Sequence, residues 1–413
     1  MNFLEFCVPA LCLIAALLVY FRFFHTNHGN KPLRTLRGLQ QCRIALRSST
    51  LASRAAPNRR LAEVFNIDNA LTTTNRVYHD SIVQGTRITL QTPDDEWNTL
   101  ATFALNNLCH TILMNQVIEG GQKFAVLIPV VQSLVFRVVL LKFFPKINKP
   151  SEDDVQYITT RINSLWLATK HNPSRADSNL LKMKRQLEVR LRKVFGNSTD
   201  EQISGRASPL NTIIPAYESI WRVVLRCFLE VHFRKCGNEI KESVTKGTYK
   251  MIFSHFMSHP NPSLFESSFQ DTHISVKHIV NEALRLCPPT RRIYRQLKNE
   301  MVKIDVEWLH RDPVSWGRDA EEFKPERWVG VLLKGVDGKM AFTPFGLGEL
   351  SCPAKKFAPM MIGILVGALM GGVGEGWELV DEELSGDVLG AKVLDGGREA
   401  YEGLRLRRVN GEE

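Results

Sequence analysis

Eight cysteines among 413 residues, at positions 7, 12, 42, 109, 227, 236, 287 and 352, form no CxxC pair and no dense, even spacing. Their scatter argues against a zinc centre and a disulfide framework, and favours a reducing compartment. Internal repeats, long low-complexity tracts and nucleic-acid-binding motifs are also missing. The formal charge of +10 therefore points to an anionic membrane surface or an acidic protein partner and not to nucleic acid. With 44% hydrophobic and 23% charged residues, a chain built mainly of membrane spans is excluded.

One uncharged run is present, "FCVPALCLIAALLVYF", from Phe6 to Phe21. With Phe3, Leu4, Phe23 and Phe24 it approaches the roughly 20 residues of a membrane-spanning helix. A cleaved signal peptide is the competing reading. Only Glu5 precedes the run and no A-x-A-type cleavage site follows it, so a retained anchor over residues 1–24 is preferred. Arg22, Lys31, Arg34 and Arg37 come next, which by the positive-inside rule leaves the rest of the chain in the cytosol. Residues 25–60 are basic and read as an irregular linker near the membrane surface.

Residues 61–236 read mostly as helix, with apolar residues at three- and four-residue spacing in "LATFALNNLCHTILMNQVI", "VQYITTRINSLWLATKH" and "NLLKMKRQLEVRLRKVF". Residues 124–144 are strongly apolar, but Pro129, Gln132, Arg137 and Lys142 interrupt them, so the segment is expected in the protein core and not in a bilayer. Beyond Pro288 come short extended pieces, "KIDVEW" and "AYEGLRLRRV", between Gly and Pro turns, with one more apolar helix near 357–370. The expected fold is mainly α, an α+β arrangement with a minor β part toward the C-terminus.

Three stretches carry chemistry. In "VNEALRLCPP", Glu282 and Arg285 stand three apart on an apolar helix ended by Pro288 and Pro289; they share a face and can form a charge-assisted pair. In "FKPERW" Arg327 adds a second cation. In "FTPFGLGELSCPA" a glycine-rich turn precedes Cys352. In order and spacing, "EALR", "HRDPVSWGRDAEEFKPERW" and "FTPFGLGELSCPA" resemble the ExxR helix, the HxDP and PERW segments and the haem-binding cysteine loop of the cytochrome P450 haem-thiolate monooxygenases. The resemblance covers roughly residues 200–410.

The resemblance implies the cytochrome P450 fold over residues 61–413 and haem b as cofactor, with the Cys352 thiolate as axial iron ligand. Phe345, Gly346 and Gly348 would shape the loop, the glycines letting backbone N–H groups approach the sulfur. Glu282, Arg285 and Arg327 would form a buried ion network bracing that loop. Glu218 and Ser219, in "IIPAYESIWRVVLRCFLEV", would be the acid and alcohol that deliver protons over the haem, although Pro215, Tyr217 and Ser219 depart from the usual small residues, glycine and Thr. Leu350 stands where the family usually has Arg or His for a haem propionate; Arg292, with Arg291 beside it, is the expected substitute. Trp97 is the nearest match to a tryptophan that binds the second propionate, but lacks the accompanying Arg.

The same resemblance implies single-pass attachment to the endoplasmic reticulum, with electrons supplied from NADPH through a flavoprotein reductase. Lys355 and Lys356 would steer that acidic donor. A lipophilic substrate, of the kind met in secondary metabolism, would receive one oxygen atom. Two alternatives stay open: a haem-thiolate isomerase or dehydratase working without reductase, and a truncated, catalytically silent haem protein.

Overall fold

A computed structural model describes residues 33–147, 149–169, 177–196, 203–235, 239–298, 300–329, 340–374, 376–380, 390 and 393–409. The anchor expected over residues 1–24 lies outside them. No helix among the described residues is long and apolar enough to cross a membrane.

In chain order the elements are β1 (Arg34–Leu36), α1 (Leu39–Arg47), α2 (Leu51–Phe65), α3 (Arg76–Thr89), α4 (Asp94–Met114), β2 (Gln116–Glu119), β3 (Gln122–Val126), α5 (Leu127–Phe143), α6 (Glu152–Ala168), α7 (Ser178–Phe195) and α8 (Leu210–Phe228). They continue with α9 (Glu239–Ser258), α10 (Pro262–Glu266), α11 (Val276–Leu286), β4 (Arg292–Leu297), β5 (Glu300–Asp305), α12 (Val306–Arg311), α13 (Pro313–Trp316), α14 (Phe357–Val373), β6 (Trp377–Val380) and β7 (Arg405–Arg408).

The scaffold is a ring of four helices in which α4 packs on α5, α5 on α8, α8 on α14, and α14 back on α4. Two of the four are apolar almost all round, as a helix buried on every side must be. In α14 "FAPMMIGILVGALMGGV" nearly every side chain is buried, and α5 is buried from Leu127 to Leu140 apart from Pro129. Each fully buried Leu, Ile or Met there contributes about 1.5–3 kcal/mol. The interrupting charges that argued against a bilayer are matched inside the protein: Arg137 meets Glu152 at 2.7 Å and Lys142 meets Glu96 at 2.7 Å.

Local chemistry starts these helices where the pattern requires. Asp94, Asp95 and Glu96 occupy the first turn of α4, and Glu152, Asp153 and Asp154 that of α6 behind the Ser151 cap, negative charge at the positive end of the helix dipole. Ser275 and His278 close a capping box at the start of α11.

Two small sheets flank the helices. One has the order β1-β5-β4, with β1 parallel to β5 (Leu36 opposite Ile304) and β4–β5 a hairpin (Arg292 opposite Asp305). The other, β2-β3-β7-β6, is antiparallel and brings the C-terminal strand onto the hairpin after α4, with Phe124 opposite Arg407.

Three expectations are corrected. Residues 33–60 are not an irregular linker: they form β1, α1 and most of α2, burying Leu36, Cys42, Ala45, Leu46, Leu51 and Ala55. The basic residues of the two helices, Arg54 excepted, lie on their accessible faces, a pattern that composition alone does not separate from a linker. The helix expected through residue 118 stops at Met114, and Gln116–Glu119 pairs as strand β2. In "KIDVEW" only the first half is strand; Asp305 caps α12 by accepting from the Trp308 N–H.

Candidate active site: a braced cysteine loop and unpaired arginines

Helix α11 places Glu282 and Arg285 on one face, and both are fully buried. Arg285 donates through Nε and Nη2 to the two carboxylate oxygens of Glu282, each at 2.8 Å, the bidentate geometry that makes such pairs strong. Its remaining N–H groups reach the carbonyls of His310, Ala320 and Glu322. Arg327 Nε donates to Glu282 Oε1 at 2.9 Å, and the Lys324 backbone N–H and Trp328 Nε1 complete the carboxylate at 2.9 Å each. Arg327 also binds Asp319 and the carbonyls of Trp316 and Asp319. The three charges named from the sequence are brought together, and every one is saturated.

His310, from the "HRDP" stretch, carries the network to the cysteine loop. Its Nδ1 lies 3.1 Å from the Arg285 carbonyl, and its Nε2 accepts from the Thr343 N–H at 2.9 Å. A carbonyl can only accept and an N–H can only donate, so Nδ1 bears the proton and Nε2 is bare. Burial, with the Arg285 charge beside it, lowers the His310 pKa to about 3. The ring is a neutral, oriented bridge.

Beyond Thr343 the loop turns at Gly346 and Gly348, whose φ values are +69° and +73°, a region that favours glycine. A Cβ on Gly348 would also make a tight contact, 3.2 Å from the Arg47 Cα at the end of α1. The Cys352 N–H donates to the Phe345 carbonyl at 2.8 Å, fixing the loop as it enters α14. The Cys352 thiol is half-buried; burial raises its pKa, and the Ala354 backbone N–H opposes the rise. Cys42 and Cys287, by contrast, are buried and pushed up to about 11, the behaviour of inert core thiols. Cys352 differs in having a backbone donor aimed at its sulfur.

The loop abuts a second feature that sequence reading missed. The turn between α1 and α2 supplies Ser49, whose hydroxyl accepts from Arg295 Nε at 3.1 Å. Arg295 is 9% exposed and Arg54, at the start of α2, 5%. Among the described residues neither has a carboxylate partner, and Arg54 Nε and Nη2 have no hydrogen-bond acceptor. Burial lowers both pKa values to about 10, and for Arg295 the neighbouring Arg54 charge adds to the effect. Two adjacent buried cations without an acid make a site for an anionic group.

Arg292 is placed elsewhere. It is exposed and only 3.9 Å from Glu307. Side chains alternate along a strand, so residues three apart on β4 point to opposite faces, and the inward cation is Arg295. Trp97 is a core residue, its ring 5.0 Å from that of Phe357. Lys355 and Lys356 are exposed. Leu350 sits half-buried in the short turn Gly348–Leu350.

On α8 the expected acid and alcohol part company. Ser219 is half-buried and donates to the Pro215 carbonyl at 3.0 Å. Glu218 is 3% exposed and ion-paired to Arg398 through Oε2, with Oε1 buried and unpartnered. Arg398 in turn holds Asn163 Oδ1 at 3.1 Å and stacks over Trp166.

The donor set fits haem. It offers a thiol with a backbone N–H partner, glycine turns that admit a flat group closely, and two unpaired guanidiniums for carboxylate side chains. Residues 275–371 match the family model described as cytochrome P450. A cytochrome P450 of Arabidopsis thaliana is 32% identical over 108 residues, which is 23% of this chain and 21% of that protein. Echinocystic acid 23-monooxygenase of Saponaria officinalis is 38% identical over 96 residues, 20% of this chain and 18% of that protein. These alignments span about a fifth of the curated relatives' length. The haem domain of a cytochrome P450DA mutant superposes with a TM-score of 0.58 at 14% identity, covering 84% of this chain and 80% of its own. A Thermus thermophilus cytochrome P450 gives 0.55 at 16% identity, covering 82% and 84%. The fold over most of the chain is that of the cytochromes P450, and the sequence match to that family lies in residues 275–371, the segment that builds the cysteine loop.

Proposed function

We propose that this chain is a haem-thiolate monooxygenase that inserts one oxygen atom from O2 into a lipophilic organic substrate. The observation that carries the reading is the pairing of a cysteine loop braced by a saturated ion network with two buried arginines that pair with no acid among the described residues. Haem bound there would supply the oxygen-activating redox chemistry, the thiolate ligand enriching the iron in electron density.

The rest is the work of this chain's residues. Cys352 would hold the iron, and the Ala354 N–H would stabilise its negative sulfur. Arg54 and Arg295 would neutralise the propionates, replacing the cation lost at Leu350. Ser219, on the accessible side of α8, would donate a proton from its Oγ, its hydroxyl now oriented by the Pro215 carbonyl. Glu218 could pass protons to it only after leaving Arg398, so Arg398 holds the acid in reserve. The Glu282, Arg285 and Arg327 network touches no reacting atom; its role is to keep the loop in shape.

Relatives named for oxidising echinocystic acid and 11-oxo-beta-amyrin support a lipophilic substrate of secondary metabolism. An NADPH-dependent reductase docking near Lys355 and Lys356, and an endoplasmic-reticulum anchor in residues 1–24, belong to the same proposal. The test is the carbon-monoxide difference spectrum of the reduced, detergent-solubilised protein. The red-shifted Soret band of a thiolate-ligated haem is expected, and Cys352→Ser should lose it. A blue-shifted band in the unmodified protein, or no haem, would remove the monooxygenase reading.

A further inference from the structure

One face of α8 is accessible inside an otherwise buried helix. Thr212, Pro215, Ala216, Ser219 and Arg222 are half-buried or exposed, while Ile213, Ile214, Tyr217, Ile220 and Trp221 are buried. The accessible positions follow the 3.6-residue period, so they form one continuous stripe. The stripe is apolar or hydroxylic except at its end, where Arg222 stands one turn after Ser219.

Arg222 Nε donates to the Glu218 carbonyl at 3.1 Å and Nη2 to the Pro289 carbonyl at 2.6 Å. A guanidinium has five N–H donors, and these two bonds leave the Nη1 edge uncommitted. No carboxylate among the described residues pairs with it, and Glu218, whose charge acts on it, is taken by Arg398. Neighbouring acids are committed as well: Arg291, Arg292 and Arg311 share Glu307, and Arg291 also reaches Asp395. Arg226 is held by the carbonyls of Asp395 and Gly397. Around α8 and the Pro289 segment cations therefore outnumber acids. Burial, with the Arg398 charge next, lowers the Arg222 pKa to about 9, so it is still protonated at neutral pH.

We infer that the site faced by this stripe takes a lipophilic carboxylate, with Arg222 as the counterion that fixes the substrate's acid end one helical turn from Ser219. The uncommitted edge of a planar guanidinium fork matches a carboxylate, and the apolar stripe matches the chain or ring system behind it. The inference rests on the monooxygenase reading of the same site. It deepens that reading from "lipophilic" to "lipophilic acid", and it makes Arg222 a specificity-determining residue.

Calorimetric titration of the full-length protein in lipid nanodiscs, supplied with haem, tests it without any turnover. Lauric acid is compared with lauramide, which has the same chain and no charge. Laurate should bind about tenfold tighter or more, the usual strength of a charge-assisted hydrogen bond. Arg222→Gln should bring laurate down to the amide's level and leave the amide unchanged, and Arg222→Lys should keep part of the preference. Equal binding of acid and amide by the unmodified protein overturns the inference, and so does a preference that survives Arg222→Gln. The unmodified protein alone decides the matter if Arg222→Gln does not fold. The carbon-monoxide spectrum, recorded on the same samples, reports separately on the monooxygenase reading: a normal band with no acid preference defeats only the carboxylate assignment.

Discussion

Two groups of buried charge are built on opposite plans. Glu282, Arg285 and Arg327 close on one another until every oxygen and nearly every N–H has a partner. Arg54 and Arg295 are buried too, yet among the described residues they pair with no acid and two nitrogens of Arg54 bond nothing. A closed network needs nothing from outside and serves the fold. An open one is costly by itself and becomes favourable only when an anion arrives. Satisfaction, more than burial, separates structural charge from binding charge in this protein.

The largest test breaks the closed side. Arg285→Ala leaves the Glu282 carboxylate buried with less compensation and frees the carbonyls of His310, Ala320 and Glu322. A loss of about 3–5 kcal/mol is expected, read as a collapse of the denaturation midpoint together with failure to retain haem. An Arg285→Ala protein with full haem and an unchanged midpoint would falsify the bracing role.

The next test uses pH. The folded pKa of His310 is about 3, below the ordinary value of about 6.5, so the unfolded chain binds the extra proton first. The stabilising effect of keeping this ring neutral is complete above pH 6.5 and is lost as pH falls toward 3. The expected loss is about 1.4 kcal/mol per unit below 6.5. Urea midpoints between pH 7 and 5 would show it, and His310→Asn should flatten the slope. A slope unchanged by that substitution would remove His310 from the account.

Gly348→Ala probes the contact between the cysteine loop and α1, since Gly348 lies against Arg47 at the end of that helix. Strain at positive φ and the close approach should together cost about 1–3 kcal/mol. The Cys352 loop should loosen, measured as faster alkylation of its thiol, while Gly120→Ala, at positive φ with nothing nearby, should not change that rate.

The smallest effect on stability is expected on the open side, and its sign is the informative part. Arg54→Met removes an unpaired buried charge, so the haem-free protein should be as stable or more stable by up to about 1 kcal/mol, while haem dissociates faster. Destabilisation of the haem-free protein comparable to that of Arg285→Ala would erase the distinction between the two groups.

Much of the closed group was legible because its members lie in local motifs. Glu282 and Arg285 share a helix face by spacing, and Arg327 and Cys352 follow in recognisable stretches. The role of His310 was not legible, since it depends on one ring reaching two backbone groups from distant segments. Arg292 and Arg295, three apart on one strand, must face opposite ways, and which of them turns inward depends on how β4 packs. Arg54 could not be found at all, because its stretch reads as part of a basic linker until α2 packs against β4. Glu218 and Ser219 are adjacent in sequence, but a helix turns by about 100° per residue, which buries one and leaves the other accessible.

The sequence by itself determined the helical scaffold and the cysteine loop, and it carries the family match over residues 275–371, since periodicity, glycine turns and a spaced motif are properties of neighbouring residues. Only the tertiary structure decided which arginines are paired, which way the acid on α8 turns, and that residues 33–60 wall the cysteine loop. Those outcomes depend on which groups from distant segments meet after the core has closed, and a charge acquires its role from the partners it finds there.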